Sequence, residues 1–495
     1  MKKTLLLIIG FVVATGLAVA GVNLKYPIVD TGQNGCFDSR SQRDCPEPGK
    51  PFNGQDSQYK GNQPHYKDNG DGTITDLVTG LMWVKERGNP VGWQQGMNGA
   101  SECRVGGYDD WRAPTIKELY SLIDFNGWVQ GDESSSTAYI DTRFFDFKWG
   151  DTNKGQRLID CQDWSATVYT GTTMGDFKTA FGVNFADGRI KGYPVYGQGG
   201  RSNRYMRYVR GNPDYGKNDF ALGAEDTVVD KATSLIWQQA DDGTTRNWEE
   251  ALAYCEELTL GGRSDWRLPS AKELQSIVDY TRSPTATDSA AIDPIFDVTD
   301  IESYYWTSTT HLDGPRPRHA AYVAFGRAMG YFASPRSGGA REFMDVHGAG
   351  AQRSDPKAGN SARYPQGHGP QGDDIRIDNS VRCVTGGGVA YYEPSNDPIP
   401  SWNRGNQEQR PGRAGHGGGP GMQSGGPGMG GGTPGMSMGQ RQGPPQEAYA
   451  ACNEKEQGDE CMVETPHGTV KGICRDTSDG TVCVPKDGRR GGKPM

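Results

Sequence analysis

Two stretches of this chain repeat one another, and a domain written twice constrains the fold more than any compositional feature. The segment from Asp71, DGTITDLVTGLMWVK, returns from Glu225 as EDTVVDKATSLIWQQ. Further on, GGYDDWRAPTIKELYSLIDF (Gly106 to Phe125) is matched by GGRSDWRLPSAKELQSIVDY (Gly261 to Tyr280). Later landmarks keep the same order: Trp164-Ser165 with Trp306-Thr307, Phe181 to Arg189 with Tyr322 to Ala328, and Arg207-Tyr208-Val209 with Arg382-Cys383-Val384.

The shared residues predict local structure. Asn69-Gly70-Asp71-Gly72 tolerates positive φ between alternating Thr73-Ile74-Thr75 and Leu81-Met82-Trp83, so a tight turn leads into short strands. Thr115 stands three before Glu118 and Ser270 three before Glu273, a capping box that opens a helix in each copy. The apolar faces read Ile116, Leu119, Leu122 and Ile123, and Ala271, Leu274, Ile277 and Val278. An earlier helix is clear in copy two, with Asn247 as cap and Trp248, Ala251, Leu252, Cys255 and Leu258 on one face. Gly96 and Gly99 interrupt its counterpart. The expectation is an α+β body, with two short helices and several short antiparallel strands per copy.

The pattern DNGDGTITD…TGLMW followed by GGYDDWRAPTIKEL resembles the Lcl C-terminal-domain family, over roughly His65 to Gly387 in two copies. The resemblance implies two tandem C-type-lectin-like domains, a fold shared with sulfatase-modifying and phage-receptor domains. It also implies adhesin-like or secreted binding modules, the family's namesake being a collagen-like bacterial adhesin with a sulfated-glycan ligand. This chain differs from the namesake in being acidic and in having no collagen-like stalk.

Lys2 and Lys3, an apolar run from Leu5 to Val13 and Ala18-Val19-Ala20 predict a cleavable secretory signal over residues 1–20. No integral membrane segment is expected after its removal, and the mature protein is read as periplasmic, secreted or cell-surface. Ten Cys in an exported chain read as disulfides, and no CxxC is present. An N-terminal Cys-loop segment occupies 21–64, where Cys36 and Cys45 are read as a local pair. Copy one is placed at 65–212 and copy two at 213–390, the latter stapled by Cys255 and Cys383. Cys103 and Cys161 are paired by arithmetic, since copy one has Tyr208 in place of Cys383. A Gly/Pro/Met-rich linker follows over 391–447, whose Met422, Met429, Met436 and Met438 fit a plain tether better than a soft-metal site. The segment 448–495 holds Cys452, Cys461, Cys474 and Cys483, with three connectivities open. Between Gly21 and Pro400 stand 39 Lys plus Arg against 51 Asp plus Glu, a net of -12, which argues against nucleic acid as ligand.

The largest difference between the copies is a long polar stretch, 331–379, inserted in copy two. Long irregular loops in compact domains are commonly functional or disordered. Asp345, His347, Arg353, Asp355, His368, Asp373 and Asp374 are its candidate ligand-binding residues, carboxylates and amides being natural partners for sugar hydroxyls and Ca²⁺. A self-packed loop held by Asp pairs with Arg353 and Arg376 is the favoured reading, because no short metal motif joins the two His. No cofactor is expected, and Ca²⁺ has no motif behind it: Asp68 to Gly72 lacks the Glu that closes an EF-hand. Trp83, Asp110, Trp111 and Arg112, with Trp237, Asp265, Trp266 and Arg267, are read as a structural motif of buried Trp and satisfied ion pairs. No catalytic residue is assigned. The expected function is non-catalytic, adhesin-like recognition of a glycan or an envelope or surface protein. The alternatives are an oxidative enzyme of the sulfatase-modifying kind, which needs a reactive Cys pair, and a structural envelope component.

Overall fold

A computed structural model describes residues 24–196, 203–333 and 339–392, and in the C-terminal segment 448, 451–452, 455, 457–465, 468–477 and 480–485. The signal read over 1–20 and the Met-rich stretch 401–446 lie outside the described residues. The architecture corrects the expected α+β pair of C-type-lectin-like domains with two helices each. Among the described residues strand accounts for 33% and helix for 13%, so small antiparallel sheets carry the fold. Copy one holds α1 (Trp93–Gly99) and α2 (Ile116–Tyr120); copy two holds α3 (Trp248–Glu257), α4 (Ala271–Ser276) and a third, α5 (Pro284–Thr287). Both capping boxes form, Thr115 with Glu118 and Ser270 with Glu273. The helices they open are shorter than the apolar periodicity suggests. Ser121 and Ser276 turn their hydroxyls back onto the Glu118 and Glu273 carbonyls at 2.7 Å, and Leu122-Ile123 and Ile277-Val278 enter the core from the turn beyond.

Each copy pairs a four-stranded sheet with a three-stranded one. In copy one the first contains Tyr66–Asp68, Thr73–Asp76, Leu81–Val84 and Val209–Gly211; in copy two it contains Phe220–Leu222, Thr227–Asp230, Leu235–Gln238 and Val384–Gly386. Gly70 and Gly72 both take positive φ in the turn before Thr73, as their residue type allows. The three-stranded sheets are Asp163–Thr173, Phe177–Asn184 and Arg189–Pro194, and Tyr304–His311, His319–Ala324 and Gln352–Pro356. The stretch 331–379 is therefore not one inserted loop. Its middle, Gln352–Pro356, pairs with His319–Ala324 as the third strand of the sheet, and Glu342–Asp345 pairs with Met329–Phe332 as an extra hairpin. Polar composition hid the strand: Gln352, Arg353 and Asp355 are buried, so no apolar alternation marks it.

The copies share an interior. One hydrophobic cluster contains Trp83, Leu119 and Phe181 from copy one with Trp237, Leu274 and Val323 from copy two. Across the seam the equivalent lysines of α2 and α4 exchange places: Lys117 Nζ donates to the Ser276 carbonyl at 2.6 Å, and Lys272 Nζ to the Ser121 carbonyl at 2.9 Å. Burial pushes both ammonium groups down to about 8. The fold is thus a single-chain pair with near two-fold internal symmetry.

Four disulfides are formed: Cys36–Cys45, Cys255–Cys383, Cys452–Cys474 and Cys461–Cys483. The pairing of Cys103 with Cys161 is not formed; both are free thiols. Where copy two has its staple, copy one seats the Tyr208 ring against α1, with its hydroxyl donating to the Gly96 carbonyl at 2.9 Å. A Cβ on Gly99 would stand 2.4 Å from that hydroxyl, which explains the glycines that break the helical pattern there. The N-terminal segment wraps copy two. Lys272 Nζ donates to the Asp30 carbonyl, Gln33 exchanges two hydrogen bonds with the Thr310 backbone, and Tyr59–Lys60 pairs with Ala390–Tyr391.

Candidate functional site

The DWR motifs build the frame of both copies. Trp111 and Trp266 are buried and donate from Nε1 to the Val105 and Leu260 carbonyls at 3.1 Å. Arg112 and Arg267 each grip the capping-box carboxylate, Glu118 and Glu273, in a two-pronged ion pair, and so tie the start of the helix to the strand carrying Val209 or Val384. Asp110 pairs with Arg210, while Asp265 pairs with Arg263 and accepts from Thr385. Trp83 and Trp237 are fully buried in the shared core.

The candidate residues of 331–379 divide. Asp373 is a hub, accepting from Arg353 and lying 3.0 Å from His347 Nε2. Burial alone would raise its carboxyl, but Arg353 and His347 outweigh burial and hold it well below the usual range. Burial, reinforced by Arg353, pushes His347 down to about 4. Asp345 accepts from Tyr169 of copy one at 2.8 Å and from the Gly348 amide at 2.7 Å, and burial lifts it to about 6. Asp355 lies apart with Asn379 and is lifted by burial to about 7. Asp374 pairs with Arg376, and His368 is exposed beside Tyr364. These are internal ties rather than an open site. Among the described residues the three metal-capable side chains that converge are Cys452, Cys461 and Cys483, each already in a disulfide.

Beside this network runs a polar seam that the sequence reading missed. Asp187 accepts from Lys191 at 2.8 Å, and Arg189 reaches across to Asp313 at 2.7 Å and to Ser354 at 3.2 Å. Asp187 and Arg189 were visible only as part of the repeat signature FGVNFADGR. Nothing local announces that they face the other copy.

The open concavity lies elsewhere. A cleft of about 660 Å³ opens at the seam, with Arg112, Thr115, Glu118 and Thr167 on the copy-one wall and Tyr280, Asp279 and Asp293 on the copy-two wall. Tyr215, Lys217 and Phe220 of the connecting segment line it too. Its volume falls within the range of about 300–1,000 Å³ common for small-molecule sites, and its walls mix aromatic and charged side chains. The equivalent position in copy two, bounded by Arg267, Leu268, Ser270 and Glu273, keeps only about 20 Å³, because Asp30, Asp56 and Tyr59 of the N-terminal segment fill it. Within the cleft Arg112 belonged to the DWR motif and Thr115 and Glu118 to a capping box, all read as structural. Capping-box positions mark helix starts, not which of two equivalent starts stays uncovered.

A family model described as the Lcl C-terminal domain matches residues 72–210 and 226–341, together just over half of the chain. No curated protein and no solved structure matches the chain. Among the described residues no helix is long and apolar enough to cross a membrane.

Proposed function

The chain belongs to the Lcl C-terminal domain family, carrying the domain twice in unequal copies, and on that premise we propose that it is an exported, non-catalytic binding protein that recognises a surface ligand, glycan or protein, as an adhesin does. The observation that carries this reading is the seam cleft, which is open, walled by aromatic and charged side chains, and present once because its counterpart is filled. The four disulfides fit an oxidising compartment. Export itself rests on the N-terminal residue pattern. The sulfatase-modifying alternative needs a reactive thiol pair; of the two free thiols, Cys103 and Cys161, the latter is buried and pushed up to about 12 by that burial.

The test is binding of the mature chain to a glycan panel and to intact cell-envelope preparations, with and without Ca²⁺. Saturable binding to either, weakened at least about tenfold by Lys217→Glu on the exposed rim of the cleft, supports the reading. Binding that Lys217→Glu leaves unchanged, or no binding at millimolar sugar and none to envelopes, contradicts it.

A further inference from the structure

The internal symmetry shows what the copy-one wall is shaped to hold, because the equivalent wall in copy two has an occupant. There the Thr309 hydroxyl accepts from the Ala271 amide at 2.9 Å and donates to Asp56. The Tyr59 ring lies 5.5 Å from the Arg267 guanidinium, and its hydroxyl donates to Glu256 at 2.6 Å. The Phe52 ring packs on Trp248. A turn and a single 3-10 turn, Asp56–Gln58, thus place a carboxyl on a threonine hydroxyl and an aromatic ring on an arginine.

Copy one repeats the receiving half. Thr167 accepts from the Ile116 amide at 3.0 Å, as Thr309 does from Ala271, and among the described residues no acceptor takes its hydroxyl proton. Arg112 holds Glu118 as Arg267 holds Glu273, yet its side chain is 36% exposed against 3%. Trp93 is half-buried where Trp248 is fully buried. Ser101, which stands where copy two has Glu256, is exposed. Each of these four groups, packed in copy two against residues 52–59, has a more exposed counterpart here.

We infer that the Trp93–Arg112–Thr167 face of copy one docks a turn-forming segment of a partner protein that carries a carboxyl and an aromatic ring spaced like Asp56 and Tyr59. A guanidinium whose outer face is exposed favours an aromatic ring, and the Thr167 hydroxyl, donating as Thr309 does to Asp56, favours an acceptor such as a carboxyl. This inference rests on the binding function proposed above and names its ligand class.

The test uses the full mature chain on an array of 12-residue peptides with Asp or Glu three positions before Tyr, Phe or Trp, followed by affinities in solution. The variants are Ser101→Trp, which fills the face from an exposed position, and Thr167→Val, which removes the hydroxyl. Equal melting temperatures of Ser101→Trp and the parent establish that the fold is intact. Peptides of this class are expected to bind at micromolar Kd. Affinity should fall at least about tenfold with Ser101→Trp, and similarly when the peptide loses its acid or its ring. No binding by any such peptide overturns the inference, as does binding indifferent to Ser101→Trp. A peptide of residues 50–62 binding best, with the chain dimerising, would make a second copy the occupant and would also overturn it. Envelope or glycan binding that no peptide displaces leaves the binding function standing and removes only this ligand class.

Discussion

Asp355 has no exposed surface and depends on the Asn379 amide at 3.0 Å and the Arg376 backbone amide, with its second carboxylate oxygen unpartnered. Burial raises it from 3.8 to about 7. Between those values the folded chain holds a proton that the unfolded chain has released, so this residue's contribution to stability improves as pH falls from 7 towards 4 and is least favourable above 7. His347 acts oppositely: its folded value of about 4 lies below 6.5, so its contribution is lost as pH falls through that window. Asp355→Asn keeps the acceptor for Asn379 and removes the buried charge. It should stabilise the protein by about 2 kcal/mol at pH 8, with the gap closing towards pH 4, read as denaturant midpoints at the two pH values. An unchanged gap would show that the carboxyl ionises freely. At this scale the sequence was informative where a residue type serves one purpose. The two DWR triads, the capping Thr115 and Ser270 and the buried Trp83 and Trp237 occupy the positions their chemistry suggests. It was uninformative for Asp187 and Arg189, whose partners are remote in sequence.

The unequal first helices illustrate how one element is stabilised by two different means. In copy two Cys255 of α3 is joined to Cys383 in the stretch leading to Val384–Gly386, while in copy one the Tyr208 hydroxyl reaches the Gly96 carbonyl. Alanine is favoured over glycine in a helix by about 1 kcal/mol, so Gly99→Ala on propensity alone should stabilise α1. A Cβ there meets the Tyr208 hydroxyl at 2.4 Å, and overpacking of that kind costs about 1–3 kcal/mol. Gly99→Ala is therefore expected to destabilise the parent and to be neutral or stabilising with Tyr208→Phe, a sign change that thermal melts of the double-mutant cycle would read. Caps and the α3 periodicity were legible because they are local. The lengths of α2 and α4 were not, since Leu122-Ile123 and Ile277-Val278 stay in the core after the helix has ended. The strand Gln352–Pro356 was hidden for the converse reason, being buried yet polar.

At the scale of the molecule, a duplicated domain has become one body with a shared core and unequal surfaces. The repeat announced the duplication. It did not announce that residues 52–59 would cover one copy's face, because coverage depends on a segment outside the repeat that carries no periodic signal. The sequence reading took its candidate binding residues from the polar stretch of copy two, while favouring a self-packed loop there. The structure turns Asp345, His347, Arg353 and Asp373 inward and opens copy one instead. Hydroxyl-radical footprinting of the mature chain, free and bound to envelope ligand, tests this asymmetry most directly. The account predicts that Trp93 oxidises several times faster than Trp248 in the free chain and is protected on binding. Equal reactivity of Trp93 and Trp248, or protection confined to residues 345–374, would contradict it.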